Sequence, residues 1–260
     1  MVVPTPAITG VVAAAFCAGI VDAMVGGGGL LQLPALFSAL PGLAPAVLLG
    51  TSKLAGAMGT GAAAWRYSRH LRLPWRLLLP GCALGLAGGL CGAALATRAP
   101  VAVFRPLVPL LLALVLAGTL TMRNRGNTHA PQYGRRSLLT GAFWVAAIGV
   151  YDGFFGPGTG SFFMFMLVRT QAFDFLHASA TARVLNVSTN VAALAWFSSH
   201  GDLLPGLGLA MGVANVAGSL VGTRLALRGG SLLVRRVFVT VVLALIVKTG
   251  HDAWTTLGTR

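Results

Sequence analysis

Gly19-Ile20-Val21-Asp22-Ala23-Met24-Val25-Gly26-Gly27-Gly28-Gly29-Leu30-Leu31-Gln32-Leu33-Pro34 sets four consecutive glycines between two apolar stretches. A second break, Gly156-Pro157-Gly158-Thr159-Gly160-Ser161, interrupts another apolar stretch just after Asp152. Glycine allows tight backbone turns and proline ends a helix, so each motif predicts a broken helix. The apolar runs that follow, 29–40 and 160–172, are too short to cross about 30 Å of hydrocarbon, which takes roughly 20 helical residues.

The two breaks are echoes of one another. Laid over itself at a constant offset of 130 residues, Gly19–Arg98 matches Gly149–Arg228 without a gap and with 19 identities. Chance gives roughly a tenth of pairs in a chain so rich in Leu, Ala and Gly. The matches fall on unusual residues. Asp22 pairs with Asp152, Gly26 with Gly156, Gly28 with Gly158 and Thr51 with Thr181, while Lys53 is echoed by Arg183. The chain therefore reads as an internal duplication, with a first repeat over 1–122, a polar linker over 123–136 and a second repeat over 137–260.

Composition sets the class. Of 260 residues, 56% are hydrophobic and 9% charged, against about 25% charged in a soluble domain. A surface facing lipid needs few charges, and the length holds about seven to nine membrane-crossing elements. Further apolar runs fall near 6–25, 44–65, 75–97, 101–122, 137–155, 177–198, 204–227 and 232–254. The net charge of +14 suggests nucleic acid only until the arginines are located. They sit between apolar runs, as on a cytoplasmic membrane face that meets anionic lipid, and no basic run carries interleaved aromatics. Membrane lipid is the expected partner and nucleic acid is not. Cys17, Cys82 and Cys91 suit neither a metal site nor a disulfide framework and read as small core residues.

If each short run returns to the face from which its hairpin entered, 66–76, 123–136, Arg169 and 224–236 share one face and carry 13 arginines. The positive-inside rule favours that arrangement. The predicted fold is an all-α integral membrane protein of two inverted-topology repeats. Each has a broken, re-entrant helix pair followed by three spanning helices. Such repeats with broken helices are a recurring plan of secondary transporters.

Lys53 and Arg183 fall well inside predicted spans, where an uncompensated charge costs several kcal/mol. Two cations at a repeat-related position suggest that an anion passes between them. Helix N-termini at Gly28, Gly29, Gly158, Thr159 and Gly160 would offer backbone N–H groups to the same anion. The alternative is two salt bridges serving assembly, Lys53 with Asp22 and Arg183 with Asp152. Both roles can coexist, with Asp22 and Asp152 gating or coupling. Candidate hydrogen-bonding groups are Gln32, Thr51, Ser52, Thr60, Ser161, Thr181, Asn186, Ser188 and Asn190. Asn186 and Asn190, four apart on one helix face, are the best placed to line a pathway. Gly81-xxx-Gly85, Gly88-xxx-Gly92, Gly208-xxx-Gly212 and Gly218-xxx-Gly222 predict close helix packing within the bundle or a homodimer contact. No catalytic residue, cofactor or metal is expected.

The segment from Gly19 to Pro34, the sequence Gly50-Thr51-Ser52-Lys53 and the second-half echo resemble the TauE/SafE sulfite exporter family across nearly the whole chain. The resemblance implies a multi-pass protein of the bacterial inner membrane that exports sulfite, sulfonates or related sulfur-containing organic anions. One departure is Ala180-Thr181-Ala182-Arg183, which lacks the serine before the cation. Three other readings remain open here: a cation transporter using Asp22 and Asp152, a membrane scaffold that transports nothing, and, third, an intramembrane enzyme acting through Ser161.

Overall fold

A computed structural model describes residues 5–98, 130–131 and 133–257. The expected span over 101–122 and most of the linker lie outside the described residues. Among the described residues every regular element is a helix: α1 (Thr5–Val25), α2 (Gly29–Ala39), α3 (Pro45–Ser68), α4 (Trp75–Ala96), α5 (Arg135–Phe154), α6 (Thr159–Gln171), α7 (Phe175–Ser199) and α8 (Pro205–Leu257). The expected runs 204–227 and 232–254 are joined in α8, which kinks at Gly230 (φ 60°, ψ −165°).

Among the described residues, four segments are long and apolar enough to cross a membrane: Ile8–Val25, Trp75–Ala96, Arg135–Phe154 and Pro205–Val237. Their outward faces are apolar, with Leu79, Phe143, Trp144, Leu209 and Val213 exposed. Cys17 and Cys91 are exposed as well, and only Cys82 is partly buried. This corrects the reading of all three as core residues. The more polar α3 and α7 pack against each other between these apolar helices and bury Thr51, Lys53, Thr60, Arg183, Asn186 and Asn190. That division follows from the solvent: hydrocarbon tolerates polar side chains only where protein or a cavity surrounds them.

Close approaches at glycines give the helix directions. Gly218 and Gly222 of α8 rest on Phe16 and Ile20 of α1, and Gly88 and Gly92 of α4 rest on Ala146 and Val150 of α5. A Cβ at Gly92 would lie 2.0 Å from the Val150 carbonyl oxygen, and one at Gly218 the same distance from that of Phe16. Each pair is parallel, and each joins the first helix of one repeat to a late helix of the other. Gly81 and Gly85 pack on Leu185 and Ser188, while Gly208 and Gly212 pack on Leu54 and Met58. All four glycine faces are thus filled within the chain, and a dimer would have to use another surface. The repeat-related helices α3 and α7 run antiparallel, with Gly50 against Phe197 and Gly56 against Asn190.

The short helices fold back on their predecessors as hairpins at opposite ends of the bundle. Leu33 and Leu36 of α2 join Val11 and Ala15 of α1, the start of α3 and Phe197 in one apolar cluster. Phe163, Met164 and Leu167 of α6 join Val145 and Ile148 of α5, Tyr67 at the end of α3 and Phe175 in the other. The second end also holds Asp174, which caps α7 by accepting the His177 N–H at 2.9 Å. Burial pushes the Asp174 carboxyl up. Hydrogen bonds from the His177 ring and backbone and from Ser231 outweigh it and bring the group down to about 2.

Candidate functional site

The two breaks meet in the middle of the molecule. Gly26 and Gly156 adopt φ of 84° and 94°, a left-handed region in which a side chain costs about 1–2 kcal/mol. The backbones also touch: a Cβ on Gly26 would sit 2.1 Å from the Gly160 carbonyl carbon and 2.2 Å from the Ser161 nitrogen.

A helix that ends inside the bundle leaves its last carbonyls without helical partners, and no water in hydrocarbon can take them. At the end of α1 side chains do so. Tyr67 Oη donates to the Ala23 carbonyl at 3.0 Å, Ser179 Oγ to Met24 at 2.8 Å and Ser161 Oγ to Val25 at 2.6 Å, while Arg183 Nη1 joins the Gly26 N–H on the Asp22 carbonyl at 2.6 Å. Three of these four side chains belong to the second repeat.

The ion pairs cross between repeats. Lys53 Nζ lies 2.8 Å from Asp152 Oδ1, and Arg183 Nη1 lies 3.0 Å from Asp22 Oδ2. The expected pairs, Lys53 with Asp22 and Arg183 with Asp152, are therefore corrected. The hairpins project each aspartate toward the other repeat's long helix, so partners lie across the interface rather than along the same repeat.

The pairs differ in their surroundings. Asp22 accepts from Thr60 Oγ1 at 3.1 Å and from the Gly28 N–H at 3.3 Å, so the N-terminus of α2 already holds a carboxylate. Arg183 is fully buried beside Gly160, with its Nη2 unpartnered. Asp152 accepts from Thr159 Oγ1 at 2.6 Å through Oδ1, whereas its Oδ2 is buried and unpartnered.

A small polar cavity opens beside this tetrad, with about 40 Å³ accessible to the centre of a water molecule. One water requires roughly 10–15 Å³ on that measure. Of the predicted site residues, Asp22, Gly28, Gly29, Gln32, Ser52, Lys53, Asp152, Asn186 and Asn190 line it, as does Thr60. Arg183, Gly158, Thr159, Gly160, Ser161, Thr51 and Thr181 stand outside its wall. Thr159 and Ser161 hold the two breaks. Thr51 accepts the Leu204 N–H at 3.0 Å, and Thr181 is buried with its hydroxyl unpartnered.

Asn215, Phe155, Gly56, Leu33 and Leu49 complete the lining unforeseen. Asn215 donates to Gln32 Oε1 at 3.0 Å, and Gln32 donates to Ser52 Oγ at 3.0 Å. Asn190 donates to Asn186 Oδ1. An amide inside the apolar run 204–227 was the available signal for Asn215, but its repeat mate is Gly85, so the duplication gives it no echo.

A duplicated helical membrane protein with broken helices, buried charges and a polar cavity at its centre has the anatomy of a transporter. The chain belongs to the sulfite exporter TauE/SafE family, whose sequence pattern matches residues 11–249. It is 37% identical over 239 residues to a probable membrane transporter protein, ORF9, of Sinorhizobium sp, covering 92% of this chain and 90% of the relative. A probable membrane transporter protein of Haemophilus influenzae is 32% identical over 242 residues, covering 91% of this chain and 92% of the relative. The probable membrane transporter protein YfcA of Escherichia coli K12 is 32% identical, covering 92% of this chain and 88% of that protein. No solved structure matches. The chain is a multi-pass membrane transporter of this family.

Proposed function

We propose that the protein exports a small oxyanion, sulfite or an organic sulfonate, across the bacterial inner membrane by alternating access between two inverted repeats. The observation that carries this reading is the crosswise tetrad, in which each buried cation is held by the other repeat's aspartate beside a cavity. Lys53 supplies the positive charge that an anion meets, and the cavity amides and hydroxyls supply directional hydrogen bonds. A site at the repeat interface is also where rocking of one repeat against the other exposes it to alternate sides.

Three features support the inverted arrangement: antiparallel α3 and α7, hairpins at opposite ends, and reciprocal packing of α1 on α8 and α5 on α4. The same directions put Arg66, Arg69, Arg135, Arg136, Arg169 and Arg224 toward one end, which the positive-inside rule makes cytoplasmic. The test is radiolabelled sulfite flux in proteoliposomes, with methanesulfonate, sulfate and thiosulfate as competitors. Wild type transports and Lys53→Ala does not, although it remains folded. Absence of wild-type flux for all of these anions would overturn the proposal.

A further inference from the structure

The tetrad is electrically balanced, with two cations against two carboxylates. An anion entering alone would leave the site one negative charge in excess, in surroundings that disfavour net charge. Balance is restored if one carboxylate takes up a proton as the anion takes over its cation. The two aspartates are not equally able to do so.

Asp22 is committed on both oxygens, to Arg183 and Thr60 through Oδ2 and to the Gly28 N–H through Oδ1. Neutralising it would strip the fully buried Arg183 of its counter-charge, and Arg183 does not reach the cavity to meet the anion instead. Asp152 is different. Its Oδ2 is buried with no partner, so a proton can sit there without displacing a hydrogen bond, and its cation Lys53 lines the cavity beside it. Thr159 Oγ1 can go on donating to Oδ1 when Oδ2 is protonated.

We propose that Asp152 is the proton carrier of the cycle. The anion replaces its carboxylate on Lys53, Oδ2 accepts one proton from water, and anion and proton cross together in an electroneutral step. The charged groups around Asp152 are Lys53 from α3 in direct contact and, across the cavity, Asp22 from α1 with Arg183 from α7 beside it. Tyr151 of its own helix is engaged with the Pro157 carbonyl at 2.5 Å. Release on the far side runs the exchange backwards: the proton returns to water and Lys53 recovers its carboxylate. Arg183, in this account, keeps the end of α1 closed and carries no substrate.

This inference rests on the anion-transport reading, and its test separates the two. Methanesulfonate carries a fixed negative charge and no group that titrates near neutrality, so any proton that accompanies it belongs to the protein. Proteoliposomes holding a pH dye are given a methanesulfonate gradient, with the membrane potential set by potassium and valinomycin. The expected result is one proton per anion, with a rate that does not change when the potential is reversed. Asp152→Asn, which imitates the protonated acid, should exchange labelled for unlabelled methanesulfonate while moving no protons.

Methanesulfonate flux that follows the potential without proton movement would overturn the inference and leave anion transport standing. Full proton movement in Asp152→Asn would remove Asp152 as the carrier. No methanesulfonate flux would overturn both readings for this anion class.

Discussion

Lys53→Ala is the sharpest probe of the crosswise pairing. Lys53 and Asp152 are 2.8 Å apart, with side chains only 7% and 2% exposed. At that distance, an effective dielectric constant near 20 gives an attraction of roughly 6 kcal/mol, offset in part by the cost of burying both ions. Removing one partner of a buried pair leaves the other uncompensated and costs about 3–5 kcal/mol. Adding Asp152→Ala removes that orphaned charge, so the double variant should recover to within roughly 2 kcal/mol of wild type. The remaining deficit comes from the lost contacts and from Thr159, whose hydroxyl keeps only its bond to the Gly156 carbonyl. Lys53→Ala with Asp22→Ala should be worse than either change alone, because Arg183 then loses its partner while Asp152 stays unpaired. Thermal midpoints of the purified, detergent-solubilised variants, followed by fluorescence-detected gel filtration, read the cycle. A chain of this size shifts roughly 2–4 °C per kcal/mol, so the single variant should fall by about 10 °C. Recovery with Asp22→Ala rather than Asp152→Ala would refute the crosswise geometry and restore pairing within each repeat.

Two further predictions concern the frame around the site. Gly26→Ala combines left-handed strain of about 1–2 kcal/mol with overpacking against the Gly160 and Ser161 backbone worth about 1–3 kcal/mol. It should destabilise the purified protein strongly, whereas Gly61→Ala, with open space at its Cβ, should not; equal midpoints would disprove the contact between the breaks. Asp174 lies lower when folded, about 2, than its ordinary 3.8, so its contribution is complete above pH 3.8 and disappears as pH falls through 2. Asp174→Asn should therefore lower stability at neutral pH and flatten the acid limb of the stability profile between pH 4 and 2, and an unchanged limb would count against the His177 and Ser231 contacts.

The repeat was legible because its rarest residues recur at one offset, and the broken helices because four glycines and a Gly-Pro-Gly cannot continue a helix in lipid. Boundaries came within a few residues: the run expected at 137–155 is Arg135–Phe154 and that at 29–40 is Gly29–Ala39. The partner of each cation was not legible. Spacing locates Lys53 and Asp22 along the chain, but the direction in which a hairpin projects Asp22 is set by packing of the other repeat. For the same reason spacing does not reveal that Ser161, expected from its place at the second break, and Arg183, expected from its charge inside a span, donate to carbonyls at the end of α1.

The duplicated sequence is used unequally, and that inequality is what the proposed alternating mechanism requires. Gly28 is right-handed (φ −58°) where its mate Gly158 is left-handed (φ 80°). The Asp22 side chain is 15% exposed where that of Asp152 is 2%. The cavity takes Gly26, Gly28, Gly29 and Gln32 from the first break but only Phe155 and Gly156 from the second. On the proposed inverted-repeat reading, the opposite state is obtained when the halves exchange these conformations. Ser52, which lines the cavity now, would then trade places with its mate Ala182, which is fully buried. Cysteines introduced there in a background lacking Cys17, Cys82 and Cys91 make the exchange measurable with a membrane-impermeant thiol reagent. Ser52→Cys should react in the absence of substrate and Ala182→Cys should not. During turnover the Ala182→Cys rate should rise, on the side of the membrane opposite to that from which Ser52→Cys is labelled. Labelling of both positions from one side only, or silence at Ala182→Cys during measured flux, would show that the repeats do not exchange roles and that transport proceeds by another motion.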